Sequence, residues 1–272
     1  MLKYYFAAAS LVAPSVVERQ AAALFFQPRR RAKTGLPGDW QRMMIEDVAV
    51  WTAGSGPTVL LTHGWEGSAA DFVPLATALV ANGYGVALID LPAHGTSQGR
   101  STNIVECMRA LSMVSHALGG VEIAVGHSFG AMATALAVAE SRIAPRTVVL
   151  FAPVATPNQF IVPFSRMIGL PRARAGGVRR EIEARVGRTV ASFDVPSAVS
   201  NLDIPLLILH DPRDRIADWS YARAIADAWP KSRLSSSDGL GHRRLLGDPY
   251  TIARAVEFVR ARATTAPAVQ SP

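Results

Sequence analysis

The 272-residue sequence predicts an α/β fold, a doubly wound and mostly parallel sheet covered by helices on both faces. Three observations predict it. Short apolar, β-branched runs recur along the chain and are separated by stretches with helical spacing of apolar residues. The five residues Gly126-His127-Ser128-Phe129-Gly130 stand between one such run and a helix-like stretch of small residues. One connection, 152–204, is far longer than the others and is punctuated by prolines, so an insertion interrupts a regular alternation.

Residues 1–46 read as a helical extension. Met1-Leu2-Lys3 followed by apolar residues 4–13 has the outline of a signal peptide. No small-x-small cleavage site follows at the right distance, and the run is too short to span a bilayer. The favoured reading is a helix through Val16, Ala23 and Phe26 packed on the domain of a cytoplasmic protein, with Arg29-Arg30-Arg31 beyond its end. Contact with a membrane surface through this basic segment, or export, is the less favoured alternative.

The core begins at Asp47. Val48, Val50 and Trp51 form an early strand closed by the turn Gly54-Ser55-Gly56-Pro57. Thr58-Val59-Leu60-Leu61-Thr62 is a near-continuous apolar run, as expected of a strand covered on both faces, and ends at His63-Gly64-Trp65-Glu66-Gly67. Phe72, Leu75, Ala76 and Leu79 share one face of a following helix, which Asn82-Gly83 stops. Gly85-Val86-Ala87-Leu88-Ile89 is the next strand and leads into Asp90-Leu91-Pro92-Ala93-His94-Gly95-Thr96-Ser97. A helix over 103–118 precedes the strand Glu122-Ile123-Ala124-Val125, and another over 131–139 follows the serine. Later buried strands fall at 147–151 and 205–209, with a more polar edge strand at 232–236. The core therefore comprises 47–155 and 201–262, the insertion 156–200, and a flexible tail 263–272.

The insertion has two parts. Phe160, Ile161, Val162, Phe164, Met167 and Ile168 make the first apolar; the second is a helix with Val178, Ile182, Val186 and Val190 on one stripe. Its position at the carboxyl edge of the sheet favours a lid over a plain loop. Phe160, Phe164 and Met167, with Trp65, are the candidates for lining an apolar substrate pocket. Arg179 and Arg180 form a solvated face or, alternatively, attract an anionic substrate.

The net charge of +7 is unevenly placed. Residues 1–42 hold +5 and residues 156–200 hold +4, so the rest of the chain is slightly acidic. Such peripheral placement argues against a nucleic-acid-binding face. No zinc-ligand spacing, Walker loop or dinucleotide fingerprint appears, so neither a metal nor a cofactor is expected. The single cysteine, Cys107, lies in an apolar helical stretch and reads as packing.

The chemistry converges on Ser128. In G-x-S-x-G between strand and helix, the serine sits on a strained turn with its hydroxyl projecting, and the new helix aims free N–H groups at it. A serine hydroxyl needs a base, and the base needs an orienting group. His242, in Gly239-Leu240-Gly241-His242 after the last strand, is the candidate base. His116 lies within a helix, His127 adjoins the serine and points away from it, and His63, His94 and His210 mark strand ends as loop ties. Asp211 and Asp214, after the 205–209 strand, are the candidate acids. Asp214 is preferred because it lies deeper in its loop, whereas Asp211 precedes Pro212 and reads as turn-forming. The backbone N–H groups of Phe129 and Trp65 are the candidate oxyanion donors.

In His63-Gly64-Trp65, Asp90-Leu91-Pro92-Ala93-His94-Gly95-Thr96-Ser97, Gly126-His127-Ser128-Phe129-Gly130, Asp211-Pro212-Arg213-Asp214 and Gly241-His242, taken in this order, the chain resembles the α/β-hydrolase family over about 48–260. Ala93 departs from the family's usual glycine at a structural turn. The resemblance implies that family's fold with a serine nucleophile and the order serine, acid, histidine, which also favours Asp214. It implies a cofactor-free hydrolase of a small hydrophobic carboxylic ester or thioester. The alternatives are an acyltransferase using the same acyl-enzyme and, less favoured, a ligand receptor without turnover.

Overall fold

The computed structural model describes residues 1–30, 36 and 39–263. One sheet carries β1 (Gln41–Ile45), β2 (Val48–Ala53), β3 (Thr58–Thr62), β4 (Gly85–Ile89), β5 (Ile123–His127), β6 (Thr147–Phe151), β7 (Leu206–His210) and β8 (Ser232–Ser236). Their spatial order is β1-β2-β4-β3-β5-β6-β7-β8. The β1–β2 and β2–β4 pairs are antiparallel and all others parallel. The chain reverses direction across the sheet between β4 and β5, on either side of β3, and such switch points open a crevice at the carboxyl ends of the strands.

The continuous apolar runs make sense in this position. Leu60, Ala124, Val148, Leu150 and Ile208 point into one core cluster, and Val59, Leu61, Val125, Val149 and Leu209 into a second on the opposite face. Period-2 alternation thus feeds two cores, and both must be apolar. The helices, in chain order, are α1 (Leu2–Val12), α2 (Pro14–Phe25), α3 (Val73–Ala81), α4 (Ile104–Ala117), α5 (Phe129–Ala139), α6 (Asn158–Met167), α7 (Ala175–Val186), α8 (Val195–Val199), α9 (Trp219–Ala228), α10 (Gly241–Arg244) and α11 (Pro249–Ala263). Residues of α4, α5, α8 and α9 cover the first cluster, and those of α3 and α11 the second. Asn103 starts α4 by accepting hydrogen bonds from the N–H groups of Val105 and Glu106, while Glu106 reaches back to close a capping box.

The amino-terminal segment differs from the expectation of a purely helical extension over 1–46. Residues 41–45 are the edge strand β1, four of whose five residues are exposed, so neither alternation nor a buried run marks them. Across Ala13-Pro14 a separate helix, α1, precedes the expected helix through Val16, Ala23 and Phe26, which is α2 and ends at Phe25. Its buried face is Val17, Ala21 and Ala22, with Val16 exposed, because α2 lies along α7. Phe6, Val17, Ile161, Val178 and Ile182 make a third apolar cluster, shared by the extension and the insertion. Arg30 ties the segment to the core by donating to the carbonyls of Ala93, Ser97 and Gly99. Arg31 and residues 264–272 of the expected tail lie outside the described residues.

Candidate active site

β5 ends at His127 and α5 begins at Phe129, so Ser128 is the corner residue, with φ +54°. A non-glycine residue rarely adopts this conformation without being held there. The Ser128 N–H donates to the Phe151 carbonyl of β6 at 2.9 Å. The flanking glycines are sterically required. A Cβ at Gly126 would lie 2.6 Å from Ala131 Cα, and one at Gly130 would overlap the carbonyls of Thr62 and His63. A Cβ at Gly64 would lie 3.0 Å from that of Ser128, so the loop after β3 runs directly over the serine.

Three of the residues singled out in the sequence come together here. Ser128 Oγ lies 2.9 Å from His242 Nε2, and His242 Nδ1 lies 2.6 Å from Asp214 Oδ2. The geometry suits a serine hydroxyl donating to Nε2 while Nδ1–H donates to the carboxylate. Asp214 Oδ1 accepts the N–H groups of Ile216 and Ala217 at 2.7 and 3.1 Å, which fixes the carboxyl plane. Burial alone raises the Asp214 carboxyl, but the hydrogen bonds from His242 and the two main-chain N–H groups outweigh it and hold the acid below its usual range.

Asp211 does more than shape its turn. Besides accepting the N–H of Arg213, its carboxylate accepts that of Gly241, immediately before His242. The residue is fully buried, yet N–H groups of Gly241, Arg213 and Leu240 overcome the desolvation and keep its pKa below the ordinary value. His127, read from the sequence only as pointing away from the serine, meets the base. Its ring packs 4.8 Å from that of His242, and its Nε2 lies 2.8 Å from the His242 carbonyl, so Nε2–H donates to that main-chain oxygen. The base is therefore gripped by its main chain from both sides.

The remaining histidines serve loops. His63 Nε2 accepts the N–H of Leu91, His94 Nδ1 meets the Pro92 carbonyl, and His210 Nε2 meets the Ala217 carbonyl. His116 is exposed on α4, and Cys107 is buried, its thiol pushed up to about 12 by desolvation. Burial, helped by a neighbouring imidazole, lowers both His94 and His127 to about 3 from 6.5. An unfolded chain therefore binds protons at these two positions below pH 6.5 that the folded chain refuses. Stability is fully present above that pH and is lost progressively as pH falls from 6.5 toward 3. Urea midpoints measured from pH 7 to 4 are expected to fall, and His127→Gln is expected to flatten part of the decline.

Phe129 is the first residue of α5, where an N–H has no acceptor within the helix. The Trp65 ring stands edge-on to Phe129 at 5.2 Å and to His94 at 5.1 Å. Gly64, Trp65, Asp71, Ser128, Arg243 and Leu246 are among the residues that line a cavity of about 360 Å³. The apolar residues proposed from the insertion do not join them. Phe160 packs on the main core cluster, Phe164 stacks edge-on against Phe25, and Met167 is at the surface beside a different cavity. The amphipathic α6 thus turns Phe164 toward the extension and Met167 toward solvent. Arg179 and Arg180 are exposed and likewise absent from the lining. Asp71, Arg243 and Leu246 escaped the sequence reading; the position of Arg243 next to His242 was the one available signal.

Residues 59–259 match the profile of the alpha/beta hydrolase family. A pimeloyl-[acyl-carrier protein] methyl ester esterase of Xanthomonas campestris is 27% identical over 253 residues, covering 76% of this chain and 97% of that protein. Among solved structures, an esterase from Rhodococcus sp. ECU1013 superposes with a TM-score of 0.62 at 21% identity, covering 83% of this chain and 98% of the other. A monoacylglycerol lipase from Paleococcus ferrophilus does so with a TM-score of 0.61 at 18% identity, covering 78% and 99%.

Proposed function

The chain belongs to the alpha/beta hydrolase family, and from that premise we propose that it hydrolyses a small carboxylic ester or thioester through an acyl-enzyme on Ser128. The observation that carries this reading is the unbroken chain from Ser128 Oγ to His242 Nε2 at 2.9 Å and from His242 Nδ1 to Asp214 Oδ2 at 2.6 Å. His242 Nε2 takes the serine proton as Oγ attacks the carbonyl carbon, and the carbonyl π-electrons move to its oxygen. The N–H groups of Phe129 and Trp65 stabilise that oxyanion, and Asp214 stabilises the imidazolium. As the oxyanion collapses, His242 returns the proton to the departing alcohol or thiol. Water, deprotonated by the same imidazole, then releases the acid and regenerates Ser128.

Trp65 and Leu246 offer the acyl group apolar contact in a cavity of about 360 Å³, which suits a small acid better than a long chain. Ester chemistry is also what the Xanthomonas relative's name describes. The insertion 156–200 enters this reading as a lid only by its place after β6, whose last carbonyl holds the Ser128 N–H, since Phe160, Phe164 and Met167 do not line the cavity. Intact mass after a fluorophosphonate probe tests the proposal. One adduct on the parent, lost in Ser128→Ala, together with turnover of short-chain p-nitrophenyl esters or thioesters, is expected. A folded parent that takes no adduct and turns over none of them would overturn it in favour of a ligand receptor.

A further inference from the structure

Among the described residues, thirteen large apolar side chains are exposed, and nine of them lie in 1–16 or on α6. α1 turns Phe6 and Ser10 inward, while Tyr4, Leu11 and Val12 are 82%, 82% and 87% exposed. Tyr4, Ala8 and Leu11 follow one another at helical spacing along its outer face. α6 lies beside it: the main chain at Lys3 packs on Gly169, and Val162 and Met167 are exposed next to a cavity of about 680 Å³ that Lys3 also lines. An apolar surface of this extent marks a place where something docks.

The charges around it indicate what docks. Lys3, Arg166 and Arg172 border the same cavity. The sequence has no acid before Glu18 and none between Glu140 and Glu181, so α1, α6 and the segment joining α6 to α7 carry cations only. A twofold contact with a second copy through this face would set these cations against themselves. An anionic phospholipid surface satisfies both halves of the face, phosphates meeting Lys and Arg, and acyl chains meeting Leu11, Val12 and the tyrosine rings. No helix of the described residues is long and apolar enough to cross a membrane, so α1 would lie in the plane of the headgroups. We propose that α1 and the carboxyl-terminal half of α6 form a docking face for an anionic phospholipid membrane surface.

Cosedimentation of the full chain with vesicles tests this. The parent is expected to pellet with vesicles of equal parts phosphatidylcholine and phosphatidylglycerol, and about tenfold less with pure phosphatidylcholine or in high salt. The double variant Leu11→Asp, Val12→Asp is expected to lose binding while keeping the parent's thermal midpoint, since both side chains stand in solvent. Arg166→Glu with Arg172→Glu is expected to lose the preference for anionic vesicles. Ser128→Ala is expected to bind like the parent, so the result is independent of the ester-hydrolase reading. Failure of the parent to pellet with anionic vesicles, or unchanged pelleting of the Leu11/Val12 variant, would overturn the proposal. So would a concentration-dependent dimer that dissociates in that variant without any vesicle binding, which would assign the face to a second copy.

Discussion

Asp214→Asn is expected to lower kcat/KM on an activated ester by about four orders of magnitude without unfolding the protein. The amide is nearly isosteric, and its oxygen can still accept the N–H groups of Ile216 and Ala217 that now hold Oδ1. Its nitrogen then faces His242 Nδ1 where a carboxylate oxygen lies at 2.6 Å. A donor at that point selects the imidazole tautomer that carries its proton on Nε2, and such a ring cannot accept the proton of Ser128. The charge that would stabilise the imidazolium is lost as well. Steady-state kinetics with circular dichroism as a fold control checks this; a loss of less than about tenfold would remove Asp214 from the proposed mechanism.

Asp211→Ala is expected to produce the second large effect, by a different route. The buried carboxylate is shared by main-chain N–H groups of Arg213 and Gly241, on two separate loops. Its removal leaves both donors without their partner, at a cost of roughly 3 kcal/mol in urea unfolding. It also frees the turn that presents His242, and a displacement of about 1 Å at the base is enough to lower kcat by about a hundredfold. KM should change little, because Asp211 does not line the cavity. Asp211→Asn, which retains an acceptor oxygen, is expected to recover part of kcat. Because the native carboxyl is held below its usual pKa, the stabilisation by Asp211 is present above the unfolded carboxyl pKa and is lost as pH falls through the lower folded value. A fall in KM affinity with unchanged kcat in Asp211→Ala would contradict the positioning role.

These two acids show how far local reasoning reaches. Both stand in Asp211-Pro212-Arg213-Asp214, and depth in the loop separates a partner for His242 from a turn-former. The hydrogen bond from Gly241 to Asp211 spans thirty residues of sequence and has no local trace. His127 hides its partner for the same reason. Its neighbour Ser128 and the strand before it suggest a ring turned away, but the ring's partner is the main chain of His242 on another loop. The insertion misled through its composition, since an apolar side chain on α6 looks the same whether it faces a substrate or the extension that covers it. Phe164 faces Phe25. Strand β1 was missed because an exposed edge strand lacks the apolar signature that buried strands impose.

What the sequence by itself determined is whatever depends on neighbours along the chain. The buried strands follow from continuous β-branched runs, α3 from its apolar spacing and the stop at Asn82-Gly83, and the corner at Ser128 from the glycines that flank it between a strand and a helix, Gly126 lying against Ala131. Tertiary structure alone decided the relations between segments that the sheet brings together. These are the double clamp on His242, the lining of the cavity by Asp71 and Leu246, and the union of extension and insertion in one apolar cluster. The physical reason is range. Propensity, capping and turn sterics act within a few residues, whereas a buried carboxylate or an apolar stripe specifies only that it must be satisfied, and the packed fold selects which distant segment does so.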